Sequence, residues 1–242
     1  MNSPIFTDNN SFQTGSWEHL FTLLFFAVLG FVLVKWGKNS SPQKQHLIGN
    51  IIGFTLSFTV IVWTICRFYL GVFDIQEDLP LVFCNFFALM LPIFTLSRNR
   101  YLYYFLYFWV ITLTVQAILT PHLYNSFPHY NFIKYWIVHC GLAIMISYAT
   151  FVYGMRPRFK HILPVFFSIQ PYILFCMALN YFIGANYMYL NHKPDTPSIL
   201  DFLHSWPIYI LEVELLALGF FFIAYLPFFI YDKFAARTLS SQ

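Results

Sequence analysis

A thiol and an amide stand side by side in an otherwise apolar stretch of the chain, LPLVFCNFF at residues 79–87. A second apolar stretch contains His139, without the HExxH or HxxxH spacing of a zinc-binding helix. An imidazole can remove the proton of a thiol, and the resulting thiolate is a strong nucleophile. Cys84 and His139 are therefore candidate catalytic residues, and neither a metal site nor a cofactor is expected.

The surrounding sequence predicts that membrane helices position these side chains. Of the 242 residues, 59% are hydrophobic and only 10% are charged, whereas soluble domains have about 25% charged residues. Seven segments approach or exceed the roughly 20 apolar residues that a spanning helix needs. They cover approximately residues 18–36, 47–72, 79–96, 101–120, 131–153, 161–185 and 206–231. We therefore expect an all-α membrane protein, a bundle of seven transmembrane helices in a single domain over residues 1–242.

Lysine and arginine alternate across successive connections, and this alternation predicts the orientation. The seven predicted segments leave eight connecting or terminal stretches, counted from the N-terminus to the C-terminal tail. The first of these has no Lys or Arg, whereas the second, fourth, sixth and eighth are basic. Their basic residues are Lys35, Lys38, Lys44, Arg98, Arg100, Arg156, Arg158, Lys160, Lys233 and Arg237. Because basic connections stay inside, we expect the N-terminus outside and the C-terminus in the cytoplasm of a multi-pass protein of the cell membrane, the inner membrane in bacteria. The small net charge of +3 gives no reason to expect nucleic acid as a partner.

The polar residues of the seven segments are predicted to lie at one depth, in the outer third of the membrane. Helical rise puts Cys84 about 6 Å, Glu212 about 9 Å and His139 about 12 Å from the outer surface. Ionisable groups at that depth are costly unless they pair or line a wet cavity. The candidate substrate-binding residues are Arg67, Asn85, Gln116, Asn180, Asn186, Tyr187 and Glu212.

Each of these polar residues also has a simpler interpretation. Arg67 either pairs with Glu212 or extends to the lipid headgroups, as Lys134 also does in this interpretation. Cys84 is either a nucleophile or a small inert hydrophobic residue. The four cysteines lack CxxC spacing, so no disulfide framework is indicated, although a disulfide between Cys66 and Cys84 stays open.

The connection at residues 186–207 has two interpretations, a lid over the polar layer or an interfacial loop of the aromatic belt. Pro194 and Pro197 favour an extended path, and the DTPS sequence at 195–198 predicts a cap for a short helix at 198–203. In the lid interpretation, Trp206 and Tyr209 pack against the first or third helix.

A thiol near the headgroup boundary would meet phospholipid acyl esters as its electrophile. Attack on such an ester gives a thioester, and Asn85, Gln116 or Asn180 could donate a hydrogen bond to the oxyanion that develops. Membrane phospholipids are therefore the expected partners.

Four stretches together resemble a known family: RFYLGVFDIQEDLPLVFCNF, YFWVITLTVQAILTP, the segment with His139, and NYMYLNHKPDTPSILDFLHSWPIY. Their order and spacing are similar to those of the YwaF family of bacterial integral membrane proteins. That family is similar to eukaryotic transmembrane, cysteine-dependent acyltransferases that move a fatty acyl chain between phospholipids. The resemblance implies that Cys84 is the acyl-accepting cysteine and that His139 is its paired histidine.

Two other classes of function remain open from the sequence. One is a non-enzymatic carrier or sensor with seven helices that binds a small or lipid ligand in an outward-facing polar cavity. The other is a purely structural membrane partner, for which polar residues at a single depth are hard to explain. The sequence leaves the oligomeric state open.

Overall fold

The computed structural model describes residues 11–194 and 199–240, with side chains for residues 11–194 and 200–234. Within these residues the fold is helical, and the only β-type pairing is an isolated bridge between Ser11 and Asn125. The helices are α1 (Trp17–Lys38), α2 (Pro42–Tyr69), α3 (Phe83–Ser97), α4 (Arg100–Leu119), α5 (Tyr130–Phe151), α6 (Ile162–Ser168), α7 (Gln170–Ile183) and α8 (Ile208–Ser240). Short 3₁₀ helices cover Phe159–His161, Tyr187–Tyr189 and Ile199–Phe202.

Six helical segments in the described part of the chain are long and apolar enough to cross a membrane. They are α1, α2, α4, α5, the stretch Phe159–Ile183 and the stretch Ile208–Phe234. Large apolar side chains point outward along them, as on α1, where Phe21, Phe25 and Phe31 are more than 60% exposed. Such surfaces suit hydrocarbon and not water, so the protein is a multi-pass membrane protein.

The third predicted segment, 79–96, forms a shorter helix than expected. α3 begins only at Phe83 and has 15 residues, a length of about 22 Å. The preceding residues form turns because the amide of Leu79 donates to the Tyr187 hydroxyl at 2.9 Å and that of Leu81 donates to the Leu79 carbonyl at 2.7 Å. Cys84 is consequently the second residue of α3 and not a residue one turn inside it.

The sixth predicted segment, 161–185, is divided into α6 and α7 at Ile169. Pro171 lies in the first turn of α7, and a proline can neither donate a backbone hydrogen bond nor accommodate the carbonyl four residues earlier. α7 ends at Gly184, whose φ of 68° and ψ of 25° place it in the left-handed region that glycine adopts readily.

The helix α5 is the centre of the bundle and packs against α1, α2, α3 and α4. Its Trp136, Met145 and Tyr148 are among the largest fully buried side chains. The helix α4 also packs against α6 and α8, and α3 packs against α2, α4 and α5.

The helices give the bundle two chemically different ends. We call one the basic end, where α1 and α5 finish, α2 begins and α3 passes into α4. The other is the Cys84 end, where α3 begins and α2 finishes. There Glu18 accepts hydrogen bonds from the Ser126 hydroxyl and the Phe127 amide, both at 2.8 Å, and fastens the start of α1 to the connection before α5.

Candidate functional site

Cys84 lies at the uncapped first turn of α3. The N-cap residue Val82 offers no side-chain acceptor, and the amides of residues 83–85 make no hydrogen bond within the described ranges. The free N–H groups and the helix dipole favour negative charge at this position. As a residue, Cys84 is half-buried.

Thr114 of α4 is the polar neighbour of this thiol. Its hydroxyl lies beside Cys84, is fully buried, and makes no hydrogen bond of normal geometry among the described residues. Sequence reasoning missed Thr114, because a threonine inside a membrane helix usually bonds its own backbone. No pattern in the sequence singled it out.

His139 of α5 has a defined tautomer. Its Nδ1 lies 2.7 Å from the Tyr135 carbonyl oxygen, which can only accept, so Nδ1 carries the proton. The lone pair of Nε2 is then available, and Nε2 makes no hydrogen bond in the described part of the chain. An imidazole in this form can act as a general base.

Tyr135 is a neighbour of both candidate catalytic residues. Its ring stacks on that of His139 with centroids 4.0 Å apart, and its hydroxyl lies within electrostatic range of Cys84. The hydroxyl itself is held by the Ala117 carbonyl at 2.8 Å. Cys84, Thr114, Tyr135 and His139, from three helices, form what we call the Cys84 cluster.

Arg67 pairs with Asp78 and not with Glu212, so that part of the sequence prediction was wrong. Its Nε donates to both carboxylate oxygens of Asp78, at 2.9 and 3.0 Å. Asp78 also accepts from the Asp74 amide at 2.8 Å, which holds the carboxylate in place eleven residues after Arg67. The acidic sequence DIQED was the signal for this partner, but it was interpreted only as an outside connection.

Lys134 joins this pair and connects it to His139. Its Nζ lies 5.1 Å from the centroid of Trp63, and the guanidinium of Arg67 lies 5.7 Å from the same ring. Lys134 is within electrostatic range of Asp78 and of His139. Arg67, Asp78 and Lys134 thus form an ionic cluster next to the Cys84 cluster.

Glu212 and Gln116 do not join these groups. Glu212 accepts from the backbone amide of His204 at 2.9 Å and lies 2.5 Å from its Nδ1, beside an apolar groove along α8. Gln116 is exposed and donates to the Thr112 carbonyl at 3.1 Å. It is two residues from Thr114, about 200° around α4, and so faces away from the thiol. Residues predicted to lie at the same depth in the membrane therefore do not all face the same site.

Asn180, Asn186 and Tyr187 hold the connection after α7. Asn180 is buried and exchanges hydrogen bonds with both backbone groups of Tyr187, at 2.9 and 3.0 Å. Asn186 accepts from the amides of Asn191 and His192 at 3.1 and 3.3 Å. With their polar groups bonded in this way, these asparagines stabilise the loop, and Asn180 is not positioned as an oxyanion donor.

The Tyr187 hydroxyl fastens this connection to the one before α3. It donates to the Ile75 carbonyl at 2.8 Å and accepts from the Leu79 amide. Burial raises the pKa of Tyr187 to about 12, so the hydroxyl remains protonated at neutral pH. The loop therefore packs over the segment that leads to Cys84, as a lid would.

The rest of the loop differs from the predicted lid. Tyr209 is buried but donates to the Tyr189 carbonyl within the loop, and the half-exposed Trp206 donates to the Leu190 carbonyl at 3.1 Å. Neither hydrogen bond reaches α1 or α3. The short helix predicted at 198–203 is a 3₁₀ helix, Ile199–Phe202, and its predicted cap at 195–198 lies outside the described residues.

A polar cavity of about 690 Å³ opens between the two connections. Its lining includes Gln76, Glu77, Val82, His122 and Tyr187. Val82 is the N-cap residue of α3, and neither Cys84 nor His139 is part of the lining.

All four cysteines are free thiols, so Cys66 and Cys84 are not joined. Among the residues described, no three His, Cys, Asp or Glu side chains are grouped closely enough to hold a metal ion. Asn85 is half-buried next to Cys84, and its amide forms no hydrogen bond in the described ranges, so it stays a candidate donor.

Comparison with known proteins gives one match. No curated protein and no solved structure matches the chain. The sequence model of the TMEM164 family matches residues 14–225, which include every residue of the Cys84 and ionic clusters. The resemblance to the YwaF family and the bacterial origin that it implies stay predictions. The chain belongs to the TMEM164 family.

Proposed function

We propose that this membrane protein is a phospholipid acyltransferase that carries the acyl chain as a thioester on Cys84. The observation that supports this most is the surroundings of the thiol. Cys84 lies at an uncapped helix N-terminus, and Tyr135, its neighbour, also holds His139 with Nε2 available. In this proposal the Cys84 thiol is the nucleophile, the His139 imidazole is the base, and the free amides of the helix N-terminus donate to the oxyanion.

The proposed topology has seven spans, an outer N-terminus and a cytoplasmic C-terminus. The helix α3 is about 22 Å long and the hydrocarbon layer about 30 Å thick. With Arg98 and Arg100 anchored at the inner headgroups, the start of α3 would lie roughly 8 Å below the outer surface. This depth is close to the ester bonds of outer-leaflet phospholipids.

The proposed reaction has two matched halves. His139 Nε2 takes the proton of the thiol while the Cys84 sulfur attacks the ester carbonyl of a phospholipid. The tetrahedral intermediate collapses, the ester C–O bond breaks, and the lysophospholipid leaves with the proton from His139. A lysophospholipid acceptor then loses its hydroxyl proton to His139 and attacks the thioester, and the released thiolate takes that proton back.

The neighbouring groups have proposed supporting roles. The free amides of the first turn of α3 and the side chain of Asn85 would stabilise the oxyanion. Arg67 retains 28% exposure of its side chain beside the buried Asp78, and with Lys134 it would attract the lipid phosphate. Asn186 and Tyr187 would act through the loop and not by touching substrate.

A binding protein without catalysis is the second candidate. The polar cavity of about 690 Å³ at the Cys84 end favours it, since this volume lies in the range of small-molecule sites. In that case substitution of Cys84 would leave the function unchanged.

The test is acyl transfer by the purified protein in uncharged detergent, with phosphatidylcholine as donor and labelled lysophosphatidylethanolamine as acceptor. We expect Cys84→Ala to reduce transfer to background and His139→Ala to reduce it about 10²- to 10⁴-fold, the usual contribution of a general base. Cys176→Ala is the control, because this buried thiol lies on α7 outside the Cys84 cluster. Equal transfer by Cys84→Ala and wild type would favour the binding protein.

A further inference from the structure

The basic end of the bundle contains a cavity that the proposed reaction does not use. It has a volume of about 490 Å³ and lies where α2 begins, α3 passes into α4 and α5 finishes. Its Arg98 is separated from Cys84 by the helical rise of α3 between these two residues, about 21 Å. Its charged and imidazole lining is Arg98, Arg100, Arg156, Arg158 and His46.

The positive charge of this cavity is largely uncompensated. Asp232 is the only acidic residue among the described residues of the basic end, and it pairs with Arg156 at 2.8 Å. Arg156 also packs on the rings of Phe228 and Tyr231, at 5.3 and 5.0 Å. The guanidinium groups of Arg100 and Arg158 form no ion pair and no hydrogen bond within the described ranges. Two exposed guanidinium groups are therefore available to bind an anion.

His46 holds one of the arginines of the same lining. Its Nε2 lies 2.5 Å from Nη1 of Arg98, and since a guanidinium only donates, Nε2 must accept and Nδ1 must carry the proton. That Nδ1 is buried and has no hydrogen-bond partner in the described part of the chain. Because Nδ1 presents no surface to the cavity, His46 contributes by holding Arg98 and not by a hydrogen bond of its own to an anion.

Positive charge that serves only to orient the helices in the membrane does not explain why arginines, and not lysines, line this cavity. The lysines of the same end, Lys35, Lys38, Lys44 and Lys160, lie outside the cavity lining, whereas all four cations within it are arginines. Arginine matches phosphate with two parallel hydrogen bonds, which lysine cannot do. Arg98 also occupies a left-handed backbone position, with φ of 50° and ψ of 34°, where glycine is the usual residue.

We propose that this cavity binds a phosphate group. The phosphate belongs either to a phospholipid of the leaflet at the basic end or to a soluble organic phosphate. The site is independent of Cys84 and of the acyl transfer proposed above.

The test uses the purified full chain in uncharged detergent and two probes, glycerol 3-phosphate and dioleoyl phosphatidic acid in mixed micelles. Binding is measured as the shift of the thermal unfolding midpoint with probe concentration. The double variant Arg100→Gln/Arg158→Gln is compared with Lys44→Gln/Lys160→Gln, which removes the same charge outside the cavity. We expect the arginine variant to bind at least about tenfold more weakly, as for lost charge-assisted hydrogen bonds, and the lysine variant less than about twofold.

The two probes distinguish the sources of the phosphate. Saturable binding of glycerol 3-phosphate indicates a soluble phosphate, and binding of phosphatidic acid alone indicates a headgroup. The variant Arg100→Lys/Arg158→Lys keeps the charge, so it tests the paired geometry even if the glutamine variant does not fold, and it should also bind more weakly. No saturable binding of either probe, or equal losses in the arginine and lysine variants, would overturn the proposal.

Discussion

The surroundings of Cys84 consist of a hydroxyl, a phenol ring and free backbone amides. The sequence contains two apparent oxyanion donors, Gln116 and Asn180, yet the first faces away from the thiol and the second holds a loop. Thr114 lies beside the thiol instead. The chemistry of the site therefore depends on which side of each helix a residue occupies as much as on its depth.

A prediction follows for Thr114. Thr114→Val keeps the shape of the side chain but removes a buried hydroxyl that has no regular partner. We expect this hydroxyl to donate to the Cys84 thiolate as it forms, so its loss should lower acyl transfer about 10- to 100-fold. The free energy of unfolding should rise by about 1 kcal/mol, because an unsatisfied polar group is gone. Transfer assays and thermal unfolding in detergent measure the two effects.

Thr112→Val is the matched control. Thr112 is also buried on α4 with an unpartnered hydroxyl, but it is two residues from Thr114 and faces elsewhere. It should gain stability and keep full activity. If both variants lose transfer equally, Thr114 has no special role beside the thiol.

At the scale of the helices, close contact between α2 and α3 holds α3, the helix that carries Cys84, in the bundle. A Cβ atom at Gly53 would lie 2.8 Å from Cγ2 and 3.0 Å from Oγ1 of Thr95. Thr95 is 1% exposed and β-branched, so it has little freedom to move away. Gly53 thus allows the two helices to approach.

We expect opposite effects from two glycine substitutions. Gly53→Ala should lower the stability of the folded protein by about 1–3 kcal/mol, as overpacking of a core does. Gly219→Ala on α8, where a Cβ meets nothing within 4 Å, should be neutral or stabilising by up to about 1 kcal/mol, because alanine favours the helix. Thermal unfolding of both variants checks this, and similar changes in the two would contradict the close approach.

The sequence predicted the helices well and their contacts poorly. Six segments of the predicted array correspond to helices long enough to span, since apolar length alone identifies them. The start of α3 was placed too early because the bond from Leu79 to Tyr187 links residues 108 positions apart. Arg67 was given the wrong partner for a different reason. The depth of a side chain follows from sequence position, but the face that it occupies follows from packing.

At the scale of the whole molecule, the proposed orientation rests on the distribution of charge. The cavity at the basic end brings the α3–α4 connection beside the start of α2 and the end of α5, and Arg156 pairs there with Asp232 of α8. The C-terminal part of α8 therefore lies at the basic end of the bundle, which the lysines and arginines would keep in the cytoplasm.

A reporter fused after Gln242 tests this orientation. A fluorescent protein that matures only in the cytoplasm should fluoresce at this position, and alkaline phosphatase, which folds only outside, should be inactive. The reciprocal fusions before Met1 should give the reverse pattern. Active phosphatase at the C-terminus would place Cys84 near the inner leaflet and exclude an outer-leaflet site.

The most direct measurement of the central claim is the intact mass of the protein purified from membranes and incubated with phosphatidylcholine. The account predicts an adduct of one fatty acyl chain that hydroxylamine removes, because hydroxylamine cleaves thioesters. The adduct should be absent from Cys84→Ala and present in Cys176→Ala. A wild-type protein without any adduct, or an adduct that persists in Cys84→Ala, would contradict acyl transfer through Cys84.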